Sequence, residues 1–388
     1  MDEVSARIEG LRNAFGQRFG ISYAMKCNPN PAILAWMRGH VDTLDVSSAG
    51  ELRAGLRAGW AAQQLSFTGP AKQRPDLELA VQQRIGEVVI ESLREARLLD
   101  AAAAAAGMRQ KILVRIAPAH VPRGFGSNMS GKPTQFGVDE EDLAETLAAI
   151  ARLRHLHIVG FHAYSGTQCL KAEAVAENWL NFLRLFEHAC ESVAISPEKL
   201  IFGSGLGIRY HDGDAPVDLD AVAAAVTPSL DRIQALPQYA GTRFLLETGR
   251  YLVGEAGLYV ASVVHTKTSR GSRIVVLDGG MNHHLGAAGH LGMVIHRPYR
   301  MDVIKADDAV HSPLEAQDLY GPLCTTIDTL GRGVKLPRLT EGDLVAVQCS
   351  GAYGPSSSPS GFISHPPAGE FMVTATADGT RIQDCSVD

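Results

Sequence analysis

A strand–helix rhythm constrains this chain more than any other feature. Eight short β-branched or apolar runs, at 21–26, 43–47, 65–68, 88–91, 112–116, 158–163, 200–203 and 244–247, are separated by helix-patterned segments. The helical patterns fall at 32–38, 50–58, 76–83, 93–106, 140–153, 172–193 and 219–236. Such alternation makes parallel strands covered by helices, and eight repeats of it predict an α/β fold of the (β/α)8 TIM-barrel type. An open doubly wound sheet has the same rhythm. The positions of the polar residues favour the barrel. Lys26, Asp45, Glu91, Arg115, His162, Gly203 and Glu247 all sit at or near the C-terminal ends of their runs. A closed barrel brings those ends to one mouth, whereas an open sheet spreads them along an edge.

The ends of the chain complete the architecture. Val4, Ile8, Leu11 and Phe15 recur at intervals of three and four, predicting an amphipathic helix over 2–18. Pro75 suits a helix start, Asp139 is the expected N-cap of the 140–153 helix, and Pro228 is expected to interrupt 219–236. Beyond the eighth run the pattern changes. Strand-like segments at 257–268, 273–277, 343–349 and 370–376 lie between Gly and Pro turns. The expected division is a barrel with its N-terminal helix over 1–250 and a β-rich domain, sandwich or barrel, over 251–388.

Composition narrows the classes of function. The net charge is −6 with no basic run, which argues against a nucleic-acid partner. No apolar run reaches the roughly 18 residues that a membrane helix needs, and the N-terminus has no apolar signal core. The six cysteines (27, 169, 190, 324, 349 and 385) are scattered without a CxxC pair, so a reducing, cytoplasmic location is expected. His283, His284, His290 and His296 lack carboxylates at ligand spacing, and no metal site is expected.

Three stretches carry chemistry. Lys26 ends the first apolar run, directly before Asn28-Pro29-Asn30-Pro31 breaks it. Burial there would disfavour its charged form and suit a lysine that forms a Schiff base with a carbonyl cofactor. A surface lysine beside a turn fits this stretch equally. Gly203-Ser204-Gly205-Leu206-Gly207 follows the seventh run, where barrels commonly hold a phosphate, although a tight turn has the same composition. The eighth run ends in Glu247-Thr248-Gly249-Arg250. Arg250 could bind the same phosphate, and a buried Glu247 needs a cationic partner. That partner is either the protonated ring nitrogen of a pyridoxal cofactor or Arg115. A Schiff-base lysine, a phosphate cradle and a carboxylate for a ring nitrogen are together what pyridoxal 5′-phosphate requires.

With these motifs the chain resembles the fold-type III pyridoxal-phosphate decarboxylases, the group of diaminopimelate, ornithine and arginine decarboxylases. The resemblance spans nearly the whole chain. It rests on 23–28, Asp45-Val46-Ser47-Ser48, Val114-Arg115-Ile116, 160–168, 203–207 and 247–250. In the second domain it rests on Asp278-Gly279-Gly280-Met281-Asn282, Gly321-Pro322-Leu323-Cys324 with Asp328, and Gly351-Ala352-Tyr353. It implies an amino-acid decarboxylase in which Lys26 anchors the cofactor and Glu247 keeps its pyridine nitrogen protonated. Gly203, Ser204, Gly205, Arg250 and Tyr353 would bind the phosphate, with Asp45, Arg115, His162 and Tyr164 as further cofactor contacts. It also implies a homodimer in which Cys324 and Asp328 complete the partner subunit's site. Cys324 would return a proton to the substrate carbon, a task suited to a thiol. Arg297, Tyr299, Thr325 and Asp328 are the expected substrate contacts. For Arg297, Tyr299 and Arg300, a solvated cationic loop is an equal reading.

The chain departs from the family pattern at four places. Familiar members have a short strand before the first helix, so the second domain is expected to be one strand short or the sequence to be truncated. Tyr164 stands where a histidine usually stacks on the cofactor ring, which keeps an aromatic face and loses a titratable nitrogen. Thr248 replaces a common proline. Cys324 is followed by Thr325-Thr326 rather than the glutamate usual in diaminopimelate decarboxylases. With 278–285, 323–331, 351–365 and Lys132-Pro133-Thr134-Gln135-Phe136-Gly137, this resembles a natural-product branch. That branch acts on carrier-protein-bound glutamate or on siderophore precursors of the citryl-diaminopropionate type. The expected substrate is therefore an amino acid with a bulky or anionic acyl extension, with diaminopimelate as the alternative and a catalytically silent regulator as the non-enzymatic one.

Overall fold

The computed structural model describes residues 1–291, 297–304, 313–376 and 378–386. They form two compact units. One comprises Ser5–Gly207 and Val217–Gly249, the other Met1–Val4, Ile208–Pro216 and Arg250–Asp388.

The first unit is the expected barrel. Its strands are β1 (Phe19–Ala24), β2 (Thr43–Val46), β3 (Leu65–Phe67), β4 (Glu87–Ile90), β5 (Gln110–Ala117), β6 (Leu156–Ala163), β7 (Lys199–Gly203) and β8 (Arg243–Thr248). Each pairs in parallel with its neighbours, β8 pairs with β1, and β4 pairs with β5, so the sheet closes. Burial on both faces explains why the strands read as apolar runs without alternation. Val89, Leu113, Val159, Ile201 and Leu245, from five consecutive strands, form one buried cluster.

The helices are α1 (Asp2–Phe15), α2 (Pro31–Met37), α3 (Ala49–Arg57), α4 (Arg74–Gln83), α5 (Leu93–Ala105), α6 (Leu143–Ile150), α7 (Ala172–Ser192) and α8 (Leu219–Gln234). Helix α1 ends three residues earlier than its periodicity suggests, because Gly16 takes a left-handed φ of 61°. Asp139 makes no side-chain cap. A single 3-10 turn, Glu140–Asp142, intervenes before α6. Pro228 lies inside a continuous α8 rather than breaking it. Trp179, Phe182 and Phe186 on α7 pack with Phe202 of β7 and Phe19 of β1. The Trp179 indole also donates to the Ser204 carbonyl at 3.1 Å. The longest helix thereby fixes the loop after β7.

In the second unit the strands are β9 (Tyr259–Ser269), β10 (Ser272–Leu277), β11 (Met301–Ile304), β12 (Leu314–Tyr320), β13 (Thr329–Pro337), β14 (Leu344–Val347), β15 (Phe371–Thr376) and β16 (Gly379–Asp384). Six form one sheet in the order β11-β14-β9-β10-β12-β13, and β15 pairs with β16 as a separate hairpin. The sequence reading missed β11, β12, β13 and β16. Strand β12 (LEAQDLY) has little strand propensity of its own. It is held by pairing on both sides, parallel to β10 and antiparallel to β13.

Truncating Leu245 leaves a cavity at the centre of the closed sheet. Leu245→Ala is expected to cost about 2–5 kcal/mol, read as a lower urea midpoint at unchanged slope. A midpoint equal to that of the parent would contradict this packing.

Candidate active site

The register of the barrel brings the candidate residues together. Gly203 and Ser22 pair with Glu247 on either side, Ala24 pairs with Asp45, and Arg115 pairs with His162. Lys26 follows β1 in a one-turn 3-10 helix, Met25–Cys27, between buried Met25 and Cys27. Of the two placements read for Lys26, buried at the strand end or beside the turn at the surface, the residue has the exposed one. Its charge acts on Asp45, Glu51 and Glu247.

Glu247 is 4% exposed and deep in the mouth. Its partner is not Arg115 but His162, whose Nε2 lies 3.1 Å from Glu247 Oε2. Burial pushes the Glu247 carboxyl up. The charge and hydrogen bond of His162, with Lys26 and Arg115 behind them, outweigh this and hold it below the ordinary carboxylate range. Asp45 goes the other way. Burial raises it first and the neighbouring Glu247 raises it further, against Lys26 and a 2.6 Å hydrogen bond donated by Thr68. Two adjacent carboxyls are thus driven apart, one ionised and one tending to keep a proton.

Arg115 is held by Glu91, with Nη1 3.2 Å from each carboxylate oxygen. Glu91 also accepts the backbone N–H groups of Gly69 and Gly137, both at 2.9 Å, and so ties the loops after β3 and β5 to the mouth. Burial raises Glu91, but Arg115, Lys72 and the Gly137 N–H outweigh it and lower its pKa. The Arg115 guanidinium lies 4.7 Å over the Phe136 ring and 6.0 Å over that of Tyr164. Tyr164, half-buried, packs against Gly203, where an added Cβ would come within 2.0 Å of the ring. Ser204 is buried, and Gly205 takes a φ of 67°.

The second unit holds its own candidates. Arg250 Nη1 donates to the Tyr210 hydroxyl, and its guanidinium lies 4.7 Å over the ring of Tyr353, itself at a φ of 56°. Burial lowers the Arg250 pKa, but Tyr210 and Tyr353 outweigh it and raise it overall. Tyr299 is buried with its ring 4.4 Å from Tyr210, and burial raises its hydroxyl pKa. It braces the tyrosine that holds Arg250. Arg297 and Cys324 are exposed and Thr325 is half-buried. Asp328 is 1% exposed and accepts the N–H groups of Met281 (2.6 Å) and Leu323 (2.9 Å). Asp328 thereby braces the loop that displays Cys324. His283 bonds Tyr259, buried His284 is depressed by burial to about 4, and His296 lies outside the described residues. The sequence reading missed Tyr210 and Thr68 and left Glu91 without a role. No periodicity marks them, although Tyr210 follows the glycine loop by three residues.

These residues fit a pyridoxal phosphate. Asp45 Oδ2 and His162 Nδ1 in the barrel, and Arg250 Nε in the second unit, are buried without a protein partner among the described residues. The glycine-rich turn after β7 is fixed by Ser204 N–H donating to the Glu247 carbonyl and Gly207 N–H to that of Cys169, both at 2.9 Å. The family described as pyridoxal-dependent decarboxylase, pyridoxal binding domain, matches residues 1–254. The chain belongs to the pyridoxal-dependent decarboxylases. It is 33% identical over 375 residues to the L-glutamyl-[BtrI acyl-carrier protein] decarboxylase of Niallia circulans, covering 96% of this chain and 86% of that one. It is 27% identical to the 2-[(L-alanin-3-ylcarbamoyl)methyl]-2-hydroxybutanedioate decarboxylase of Staphylococcus aureus, over 92% and 88% of the two chains. The crystal structure of Helicobacter pylori diaminopimelate decarboxylase with L-lysine superposes with a TM-score of 0.84 at 26% identity, covering 98% and 91%. The enzyme is therefore a pyridoxal-phosphate-dependent amino-acid decarboxylase with the barrel and β-domain architecture of its relatives. Among the described residues no helix is long and apolar enough to cross a membrane.

The raised Asp45 makes a prediction for the cofactor-free chain. A carboxyl with a folded pKa above its unfolded value of about 3.9 favours folding below that value and loses this stability as the pH rises through the folded one. Asp45→Asn can still accept from Thr68 and removes that loss. Its urea midpoint is expected to exceed that of the parent by an amount that grows from pH 4 upward to a plateau. A pH-independent difference would contradict it.

Proposed function

We propose that the enzyme decarboxylates an amino acid whose far end is acylated, with the amino acid borne on a carrier protein as a thioester, in a siderophore or other specialised-metabolite pathway. The observation that supports this most is the 33% identity, over nearly the full chain, to a decarboxylase of a carrier-bound glutamyl group. The exposed Cys324-Thr325-Thr326 loop has no carboxylate to meet a distal ammonium, which also suits a substrate without one. The second reading is diaminopimelate decarboxylation, supported by the structural likeness to that enzyme of Helicobacter pylori.

The roles proposed for the residues are these. Lys26, exposed at the end of β1, would hold the cofactor through its amine. Glu247, whose pKa is lowered beside His162, would pair with the pyridine nitrogen of the cofactor. Tyr164 offers its ring as a face beside Gly203. Gly203, Ser204, Gly205, Arg250 and Tyr353 hold the phosphate. Bound pyridoxal phosphate supplies a sink for the electron pair left when the bond from Cα to the carboxylate breaks. Cys324 Sγ then returns a proton to Cα. An exposed cysteine on a braced surface loop, beside an Ile327 that is 52% exposed, suits a residue donated across a two-fold to the partner subunit's site.

Lys26→Ala is expected to lose the visible band near about 420 nm that a lysine-anchored cofactor gives. A purified variant that keeps the band would overturn the anchor. Cys324→Ala is expected to keep the cofactor and slow CO2 release by about 10²–10⁴-fold, with unchanged kinetics as the contrary result. CO2 release from a glutamyl thioester on a carrier protein, set against meso-diaminopimelate, separates the two substrate readings.

A further inference from the structure

Resting on the reading that Asp45 and Arg115 meet the cofactor, we infer that the buried ion pair of Lys72 and Glu95 is a positioning device for the decarboxylation. The pair sets the turn after β3 and, through it and Glu91, holds Asp45 and Arg115 in place.

The pair grows out of a helix start. Ser92-Leu93-Arg94-Glu95 has the spacing of a capping box, and Ser92 Oγ accepts the Glu95 N–H at 3.2 Å. The Glu95 carboxylate uses both oxygens as acceptors. One takes the Glu91 N–H at 3.3 Å, and the other lies 2.8 Å from Lys72 Nζ. Lys72 ends the stretch Gly69-Pro70-Ala71-Lys72 that follows β3. Its Nζ also donates to the Gly69 carbonyl and stands 5.6 Å over the ring of Phe67, the last residue of β3. Both side chains of the pair are buried. Burial raises the Glu95 carboxyl to about 7, against the charge and hydrogen bond of Lys72.

Two routes lead from this pair to the mouth. The first is Gly69, whose carbonyl is held by Lys72 and whose N–H donates to Glu91 Oε1 at 2.9 Å. Its φ of 135° is one that glycine adopts and other residues rarely do, so these two contacts fix a turn with little stiffness of its own. The preceding residue, Thr68, is the one whose hydroxyl donates to Asp45 at 2.6 Å. The second route is Glu91. Burial raises it, and Arg115 and then Lys72 outweigh the burial, so the charge of Lys72 helps keep Glu91 ionised against Arg115. A buried ion pair adds little net stability over apolar side chains of similar volume. The partners of this one, Gly69 and Glu91, both hold groups of the mouth.

The test uses two variants. Lys72→Met/Glu95→Leu removes both charges together and keeps the packing, and its urea midpoint is expected to match that of the parent. Glu95→Gln has one acceptor where Glu95 uses two, so it gives up either Lys72 or the Glu91 N–H, and it decides alone if the double variant is too unstable to take up cofactor. In both, the dissociation constant for pyridoxal phosphate added to cofactor-free enzyme is expected to rise about tenfold, and the circular dichroism of the visible cofactor band to change. With cofactor saturating, kcat is expected to fall about 10–100-fold at unchanged KM, on whichever of carrier-bound L-glutamyl thioester and meso-diaminopimelate the parent decarboxylates. Parent-like affinity, dichroism and kcat in a folded variant would overturn the inference and leave the pair a matter of stability. Arg115→Met tests the reading beneath it. Parent-like affinity and dichroism in that variant would overturn the cofactor contact, and this inference with it.

Discussion

The hydrogen-bonded pair of His162 and Glu247 is the interaction on which the rest of the site depends. A carboxylate that is 4% exposed is costly, and burial alone would protonate it. His162 supplies the opposing partner from two strands away, because β6 and β8 flank β7 and the closed sheet brings both side chains within 3.1 Å. An ionised Glu247 is what a protonated pyridine nitrogen requires. A neutral one could not hold that proton in place. The closed barrel thus provides the electrostatic state as well as the positions of the residues.

Around this pair the charges are sorted into separate compartments. Glu91 satisfies Arg115 and pins two loops, while Lys72 and Glu95 form a further buried pair at 2.8 Å, with Glu95 raised by burial to about 7. Arg115 is then free to present its guanidinium face to Phe136 and Tyr164. Asp45 has Thr68 as its hydrogen-bond donor and Glu247 as its unfavourable neighbour. In the second unit Tyr210, Tyr299 and Tyr353 hold Arg250 in one orientation, a bracing that suits a phosphate ligand whose fork must not wander.

Much of this was legible in the sequence where one local pattern decides the outcome. Eight apolar runs with polar ends gave the barrel and its mouth, and Lys26, the 203–207 turn and Glu247 with Arg250 pointed to a pyridoxal cofactor. Features set by non-local pairing were not legible. Leu314–Tyr320 becomes a strand only because two partners flank it. The partner of Glu247 had two readings, the cofactor or Arg115, and barrel closure added His162, which no spacing reveals. The hydrogen bonds that Asp328 accepts from the N–H groups of Met281 and Leu323 were likewise not legible, because only the folded turn brings them to its carboxylate.

The account stands on an ionised Glu247 acting on the cofactor ring. The most direct measurement is single-turnover CO2 release by cofactor-loaded Glu247→Gln, which keeps the shape of the side chain and a hydrogen bond but removes the charge. The account predicts that the variant retains its visible cofactor band and loses about a hundredfold or more in rate. A rate within about threefold of the parent, with the cofactor equally loaded, would contradict it, because an effect of that size is below the roughly tenfold that 1.4 kcal/mol represents.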